Sequence, residues 1–468
     1  MKFVRYVGTE QCSDREYQQA IQNDRDIIVD WVTATANSTV DYRLDDKRMM
    51  LGISGMTQDY LDLGILVYLT DEMVDRDRTT DYWTRNIRCL IPVNDPDRWR
   101  SRDQLLKETL SVLSGDLWEF EWVQLNGPPP VRSHRLTLPA DCDTVCLFSG
   151  GIDSLLGAAQ LLQAGRKLLL VGHQADGQTS SAQTTLAAML RQLYPNQLHL
   201  LQCRVARSYR HSPQFHLAAK NEISHRPRSF LFLALGVAIA AKCGINEIFM
   251  PENGFMALNI PIQKSRTGSL STRTAHPLYM LKFLQLASDV AGFTGSIRNP
   301  FLTQSKTDML RSFPVTLKPL ISRSISCSRP ARYNNLGVHH CGYCVPCIHR
   351  RIAMSEANLD LPGHYAFDVF RDFSNIDRDK QQDFRAVVRF AMRVESASAT
   401  ELQTLVLSHG HFPSNVGSMI GVAATTNYDP WVDMLRRWAS DFISKVQSKA
   451  SDQTRRALGL AIRRQRGS

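Results

Sequence analysis

The stretch CLFSGGIDSLLGAAQLL, residues 146–162, decides the fold of this chain. Its apolar start predicts the end of a β-strand, Gly150 and Gly151 predict a turn, and the apolar spacing after Ile152 predicts a helix. In such a turn the backbone amides point into a concave surface, and the positive amino end of the helix adds to them. The stretch therefore predicts a phosphate-binding site. A Gly-Gly turn that only starts a helix is the alternative interpretation.

Strand-like and helical patterns alternate from this stretch onward. The strand-like runs are residues 144–148, 167–172, 197–202 and 245–250. Their alternation with helices predicts an α/β fold with a doubly wound parallel sheet, in which ligands bind beyond the carboxyl ends of the strands. The loops expected to line that mouth begin at Ser149, Gly172, Cys203 and Pro251. The basic loop 204–211 is interpreted either as a cover over a triphosphate or as a solvated loop.

A second informative pattern is the cysteine cluster near residue 340. Cys341, Cys344 and Cys347 have the spacing C-x2-C-x2-C, which lets one loop wrap a zinc ion. A tetrahedral structural zinc site needs a fourth ligand. The candidates for that ligand are Cys327, which lies upstream, and His339 or His340. Four unrelated buried thiols are the alternative. A disulfide framework is disfavoured, because the sequence shows no secretory signal.

Length and composition indicate a globular protein of several domains. The chain has 468 residues, of which 43% are hydrophobic and 21% are charged. Its longest uncharged apolar run, 230–241, is too short to span a bilayer. Ten cysteines without a signal-peptide pattern indicate reduced thiols and a cytoplasmic location. The net charge of +10 suits a phosphate-rich ligand or an acidic partner, and it permits nucleic-acid contact without favouring it.

Three regions are predicted along the chain. Residues 1–140 form an α+β extension of unknown role, with a strand-like piece at 63–70 and helical character at 99–113. Residues 141–355 contain the sheet, the glycine turn and the cysteine cluster. Residues 356–468 are expected to be helical, because apolar residues recur at helical spacing there, and the region ends in a basic tail that is interpreted as solvated or as a docking element.

The glycine turn and the late cysteines together resemble the PP-loop ATP pyrophosphatases, and among them the 7-cyano-7-deazaguanine synthase (QueC-like) family. The family's pattern is S-G-G-x-D-S followed by a distal C…C-x2-C-x2-C. Shorter stretches that resemble this family are 226–230, 299–302 and 305–310. The resemblance covers residues 142–355, and it implies a PP-loop (HUP-like) α/β domain that uses ATP, Mg²⁺ and a zinc site made of four cysteines.

Site roles follow from the resemblance and from side-chain chemistry. The residues expected to hold the phosphates are Ser149, Gly150, Gly151 and Ser154. Asp153 is the candidate magnesium ligand, with complementarity to the helix amino end as its structural alternative. Lys306 is expected to neutralise the departing pyrophosphate, and Arg228 to contact phosphate or an acceptor carboxylate. The alternatives for these two side chains are a solvated lysine and a surface arginine.

The part of the domain that is expected to bind the acceptor departs from the sequence pattern of the family. Ser229 stands where the family has Asn, and residues 251–261 and 265–277 replace the segment that binds the deazapurine. The acceptor-site candidates in this part are Glu252, Asn253, Arg266, Arg273 and His276. The segments 251–261 and 265–277 are similar to the QueC-like branch of bacterial anti-phage systems of the Qat type.

That resemblance implies a ligase that adenylates a carboxylate of a deazapurine-like substrate. The nitrogen nucleophile would be ammonia or an amine of a partner protein encoded nearby. An ATP-binding sensor or scaffold subunit is the main alternative, and a tRNA-modifying PP-loop enzyme is the third.

Overall fold

The computed structural model describes most of the chain. Described are residues 2–6, 27–29, 31, 38–74, 76, 79, 81, 83–125, 138–207, 226–262, 273–408, 416–420 and 428–460. The strands are β1 (Lys2–Tyr6), β2 (Ile27–Val29), β3 (Ser38–Leu44), β4 (Lys47–Met49), β5 (Asn86–Val93), β6 (Leu117–Gln124), β7 (Thr144–Leu147), β8 (Leu168–His173), β9 (Leu198–Arg207), β10 (Glu247–Phe249) and β11 (Ser296–Arg298).

Helices connect these strands and form the carboxyl-terminal third. The helices up to residue 311 are α1 (Gly55–Met73), α2 (Pro96–Arg100), α3 (Asp103–Ser114), α4 (Ile152–Gln163), α5 (Gly177–Leu193), α6 (Arg228–Cys243), α7 (Gly254–Leu258), α8 (Pro277–Ala291) and α9 (Lys306–Arg311). The later ones are α10 (Lys318–Ile321), α11 (Val345–Glu356), α12 (Arg378–Ser396), α13 (Ala399–Ser408), α14 (Val416–Ile420), α15 (Asp429–Lys449) and α16 (Asp452–Leu458).

The central sheet has seven strands in the order β11-β10-β7-β8-β9-β3-β4. The five strands from β11 to β9 are parallel, and β3 and β4 add an antiparallel edge. The prediction of an α/β chain with a mostly parallel central sheet is confirmed. The order reverses at β7, because β8 and β9 follow on one side of it and β10 and β11 on the other. The glycine turn after β7 therefore lies at the switch point where open α/β sheets bind ligands.

The third predicted strand is longer than expected. Strand β9 continues to Arg207, because β3 pairs with it from Leu44 opposite Leu201 to Ser38 opposite Arg207. Residues 204–207 of the predicted basic loop are therefore strand. Residues 208–211 lie outside the described part of the chain. A partner strand from the distant amino-terminal region was not predictable from local pattern.

The two faces of the central sheet carry different helices. Helices α4 and α5 pack on one face through a core that includes Phe148, Leu155 and Leu186. Helices α1, α6 and α8 cover the other face through a core that includes Leu147 and Val171. This division follows from the reversal of strand order at β7, which sends the connecting helices to opposite sides.

The amino-terminal region contains a second sheet, with the order β2-β1-β5-β6 and only parallel pairs. Parallel strands with intervening helices differ from the predicted α+β arrangement, in which strands and helices are segregated. The predicted helical piece at 99–113 forms α2 and α3, which are separated at Ser101 and Arg102. Strands β3 and β4 come from the same region and extend the central sheet.

The prediction of a strand at 63–70 is wrong. These residues lie in α1, where every residue from Leu63 to Met73 is buried. The helix is surrounded by protein, so it lacks the polar face that would have given a helical period. Its Tyr60 ring packs against Phe230 of α6 and Phe283 of α8, with centroids 6.3 and 5.6 Å away.

From Arg378 onward, most of the described residues of the carboxyl-terminal region are helical. On α12 the residues at helical spacing are all fully buried: Phe384, Val387, Val388 and Ala391. They form one core with α15 and α16. The last part of the basic tail, residues 461–468, lies outside the described residues. No helix in the described ranges combines the length and apolarity needed to cross a membrane.

Candidate functional site

The glycine turn after β7 is held in shape by its own hydrogen bonds. The Ser149 hydroxyl donates to Ser154 Oγ at 3.2 Å, and Ser154 Oγ donates to the Gly151 carbonyl at 3.1 Å. The Gly151 amide donates to Ser149 Oγ at 3.3 Å. Gly151 occupies the N-cap position of α4 and offers no side-chain cap. The first-turn amides of a twelve-residue helix thus open onto the turn, as an anion site requires.

Gly150 is required by this geometry. Its φ of +79° lies in the left-handed region, where an L-residue is strained. A Cβ at this position would also come within 3.2 Å of Gln183 Cγ and 3.4 Å of Ala182 Cβ on α5. The turn is therefore pressed against a neighbouring helix at the position where the backbone must reverse.

Asp153, on the first turn of α4, is the centre of a buried polar cluster. Lys306 Nζ forms an ion pair with Asp153 Oδ1. Asn253 Nδ2 donates to Asp153 Oδ2 at 2.7 Å, and the Asn253 amide donates to the same oxygen at 3.3 Å. Asn253 Nδ2 also lies 3.2 Å from Glu252 Oε1. Only 7% of Asp153 and 9% of Lys306 are exposed, so both charges are largely removed from solvent.

The pKa values of the two carboxyl groups in the cluster are shifted in opposite directions. Burial alone would raise the pKa of Asp153, but the Lys306 ammonium and the hydrogen bonds from Glu252, Lys306 and Asn253 hold it below its ordinary value. Burial, the charge of Asp153 and the hydrogen bond to Asp153 raise the pKa of Glu252 well above its ordinary value. The two carboxyl groups are therefore electrostatically coupled, because Lys306 favours the charged form of Asp153 and Asp153 disfavours the charged form of Glu252.

One close helix–loop contact and two helix caps bring these side chains together. Helix α4 lies so close to the loop after β10 that a Cβ on Gly157 would be 2.5 Å from Pro251 Cβ. Asn253 Oδ1 accepts from the Met256 amide at 3.1 Å, which caps α7 and fixes the Asn253 side chain. On α9, a capping box between Ser305 and Asp308 starts the helix at Lys306.

Not all of the predicted site residues belong to this cluster. Arg228 is exposed at the start of α6, on the opposite face of the sheet, where its charge acts on the Tyr68 phenol. His276 is buried and caps α8, since its Nδ1 accepts from the Leu278 amide at 3.2 Å. Arg273 is half-buried just before α8, and burial lowers its pKa. Arg266 lies outside the described residues.

The predicted cysteine cluster is assembled. The Sγ atoms of Cys327, Cys341, Cys344 and Cys347 all lie within 4.8 Å of one another. Cys341 Sγ and Cys347 Sγ are 3.8 Å apart, which is about the sulfur–sulfur spacing of a tetrahedral site with Zn–S bonds of about 2.3 Å. Four thiols at this spacing can hold a metal ion such as zinc.

The structure also decides between the candidates for the fourth ligand. Cys327 joins the cluster, whereas His340 Nε2 accepts from the Ser326 amide at 3.3 Å. Two residues before Cys327, the Ile325 amide donates to the Gly150 carbonyl at 2.9 Å. The cysteine segment therefore supports the glycine turn directly.

Sequence reasoning did not assign a site role to three residues that the structure places here. Asn299 Nδ2 donates to the Glu252 carbonyl at 2.8 Å, and its Oδ1 accepts from the Glu252 amide at 3.3 Å. Gln183 packs under Gly150 and donates to the His173 carbonyl at 3.1 Å. His349 is buried near Lys306 and Asp153, and its Nε2 has no hydrogen-bond partner among the residues that the structure describes. Asn299 follows β11, so the rule that polar residues after strands line a site would have found it.

Searches for related proteins add no name to this site. No family model, no curated protein and no solved structure matches the chain. The chemistry of the site therefore has to be argued from its residues. The first-turn amides of α4 lie beside a buried carboxylate and a buried ammonium, and the amino end of a helix favours an anion.

Proposed function

We propose that the chain is a QueC-like ATP-dependent ligase that adenylates the carboxylate of a 7-deazapurine-like substrate and passes the acyl group to a nitrogen nucleophile. The observation that carries this proposal is the position of Asp153. It is the aspartate of the S-G-G-x-D-S turn, it lies at the switch point of the sheet, and it is buried in contact with Lys306 and Asn253.

The residues present fit a magnesium–nucleotide ligand. Asp153 offers the hard oxygen ligands that Mg²⁺ prefers, and a bound Mg²⁺ would offset charge on the phosphates. The amides at Gly150 and Gly151, with the Ser149 hydroxyl, would bind the phosphate oxygens. Lys306, already paired with Asp153, would stabilise negative charge on the leaving pyrophosphate.

The proposed reaction has two steps. An oxygen of the acceptor carboxylate forms a bond to the α-phosphorus as the bond to the bridging oxygen breaks, and pyrophosphate leaves with the electron pair. The lone pair of the nitrogen nucleophile then attacks the acyl carbon, AMP leaves, and the nitrogen loses a proton to solvent. The protein contributes by positioning and by charge neutralisation. The zinc in this proposal is structural, because four cysteines fill a tetrahedral site.

The biological setting proposed is a cytoplasmic anti-phage system of the Qat type. The support for it is the sequence of the part that is expected to bind the acceptor, in which Glu252 and Asn253 replace the family's pattern. These two side chains contact the Asp153 site, so a changed acceptor would meet the nucleotide there. In that setting the nucleophile is ammonia or an amine of a partner protein.

The test incubates the protein with ATP, Mg²⁺, 7-carboxy-7-deazaguanine and ammonium, and follows nucleotides and base products by mass spectrometry. We expect AMP and a new amide or nitrile, and an Asp153→Asn variant slower by about 100-fold or more. The matched control is Asp141→Asn, an exposed carboxylate that pairs with Lys167 just before β7. The assay is repeated with neighbouring gene products as acceptors.

Three results would contradict the proposal. ATP that binds but never yields AMP, with or without the neighbouring gene products, would favour the sensor or scaffold interpretation. AMP formation that depends on tRNA would favour the tRNA-modifying interpretation. An equal loss of activity in Asp141→Asn would show that Asp153 has no special role.

A further inference from the structure

A cavity of about 360 Å³ opens beside the glycine turn, on the face of the sheet that carries α5. Its walls come from the first turns of α5, from residues 322–325 and from residues 337–340. It shares two contacts with the turn: Ala182 lies against Gly150, and the Ile325 amide donates to the Gly150 carbonyl. Its volume suits a small-molecule ligand.

The lining of this cavity contains two arginines and three histidines, of which His340 is held uncharged because burial lowers its pKa to about 3. The basic side chains that line it are Arg323, His339, His340, Arg350 and His364. Three of them, Arg323, His339 and His364, are exposed at the rim, and the other two are buried in the floor. Among the described residues that line the cavity, none carries a carboxylate.

Arg350 is buried in this lining without an ion pair among the described residues. Only 2% of Arg350 is exposed, and its guanidinium donates to Ser324 Oγ at 2.8 Å, Ser326 Oγ at 3.3 Å and the Ile321 carbonyl at 3.0 Å. All three acceptors are uncharged. Burial lowers its pKa, and the nearby Tyr365 and Cys347 oppose that shift.

The neighbouring Arg351 shows how the charge of a buried guanidinium is compensated elsewhere in this protein. Arg351 is equally buried, at 1% exposure, and it forms ion pairs with Asp360 at 3.3 Å and Asp368 at 2.8 Å. A buried cation is costly unless an anion or a full set of hydrogen bonds accompanies it. Arg350, which lines the cavity, forms no ion pair of this kind among the described residues, and Asp360 and Tyr365 compensate it only in part, so an anionic ligand in the cavity would add to its compensation.

We propose that this cavity, the basic pocket, binds an oxyanion group, either a carboxylate or a phosphate, of a ligand that the glycine turn uses. The inference rests on the proposed function for the turn. It adds a binding site for a second charged group of the reaction, besides the phosphates held by the turn. The rim groups Arg323 and His364 would contact the oxyanion directly, and Arg350 would supply a fixed positive field from the floor. The two possible sources of the group are the pyrophosphate end of the nucleotide and the carboxylate of the acceptor.

The experiment is calorimetric titration of the full chain with pyrophosphate and, separately, with 7-carboxy-7-deazaguanine. The variants are Arg323→Gln and His364→Gln, which change exposed rim residues and spare the buried floor. The matched control is Arg378→Gln, an exposed arginine at the start of α12. We expect a rim variant to bind its ligand about tenfold more weakly, which corresponds to one charged hydrogen bond, and the control to bind normally. Zinc content and thermal unfolding of each variant confirm that the fold is kept.

The pattern of losses identifies the source of the oxyanion. Weaker pyrophosphate binding assigns the pocket to the nucleotide, and weaker binding of the carboxylated base assigns it to the acceptor; both support the proposal. Unchanged affinity for both probes in both variants, or no binding of either probe to the unaltered protein at millimolar concentration, would overturn it. ATP that fails to bind while pyrophosphate still binds would count against the proposed function and support the pocket.

Discussion

Replacement of Lys306 by methionine tests whether the buried ion pair organises the site. Asp153 and Lys306 are 7% and 9% exposed, so each depends on the other for most of its charge compensation. Two unit charges about 4 Å apart attract by about 4 kcal/mol at an effective dielectric constant of about 20. Truncation of one partner of a buried pair costs about 3 to 5 kcal/mol. The two hydrogen bonds from Asn253 remain, so we expect the free energy of unfolding to fall by about 3 kcal/mol for Lys306→Met.

The double variant Asp153→Asn/Lys306→Met carries the decisive comparison. Neither charge remains buried in it, so we expect it to be more stable than either single variant. Urea denaturation followed by tryptophan fluorescence measures all four proteins at neutral pH. A single variant that costs less than about 1 kcal/mol, or a double variant whose cost equals the two single costs together, would refute the reasoning.

The same pair has a signature in the pH dependence of stability. The folded pKa of Asp153 is depressed, so its contribution is present above its unfolded pKa and is lost as pH falls through the folded pKa. Without Lys306, burial raises the pKa of this carboxyl. In Lys306→Met the contribution of this carboxyl should therefore have the opposite sign, so that the variant gains unfolding free energy as pH falls through the titration of Asp153, whereas the unaltered protein loses it.

The remaining predictions concern the second carboxyl, the glycine turn and the cysteines. The folded pKa of Glu252 is raised, so its contribution is complete below its unfolded pKa near 4.5 and is lost as pH rises toward the folded pKa. Relative to Glu252→Gln, the unaltered protein should lose up to about 1.4 kcal/mol of unfolding free energy per pH unit in that window, and stability curves that stay parallel as pH rises from about 4.5 would contradict this. Gly150→Ala should cost more unfolding free energy than Gly165→Ala and should also weaken ATP binding, because both have a strongly positive φ (+79° and +77°) but only Gly150 is crowded; equal costs would argue against a turn pressed on α5. Cys347→Ser should lose bound zinc and about 5 °C or more in Tm, as should chelation, while Cys243→Ser keeps its metal; an unchanged metal content in Cys347→Ser would rule out the site.

Sequence pattern predicted those parts of the molecule whose structure is set locally. The strand, turn and helix around Gly150 depend on neighbouring residues, and so does the triple-cysteine loop, so both appear as expected. Polar groups gather beyond the carboxyl ends of parallel strands, and this rule predicted that the loops of Asn253 and Asp153 lie close together, as they do. The wrong prediction at 63–70 has a physical cause, because a helix buried on all sides loses the amphipathic period that distinguishes it from a strand.

Other features depend on contacts between distant segments and have no local signal. The extension of β9 requires β3 as a partner, and the basic pocket combines α5 with residues from 322 to 364. His276 has side-chain chemistry that suits a ligand site, yet the structure uses it to cap α8. Residue type alone does not separate a capping histidine from a binding one.

The burial of α1 has a consequence for how the protein is made. The helix ends at Met73, and its main partner α6 begins at Arg228. A ribosome that adds about 5 to 20 residues per second needs roughly 8 to 30 seconds to cover that interval. During this time the apolar run Leu63–Leu69 lacks α6, the element with which the helix makes most of its contacts in the finished fold. We therefore expect the nascent chain to be held by a chaperone that recognises this helix, and expression yield to be more sensitive to synthesis rate than the stability of the finished fold suggests.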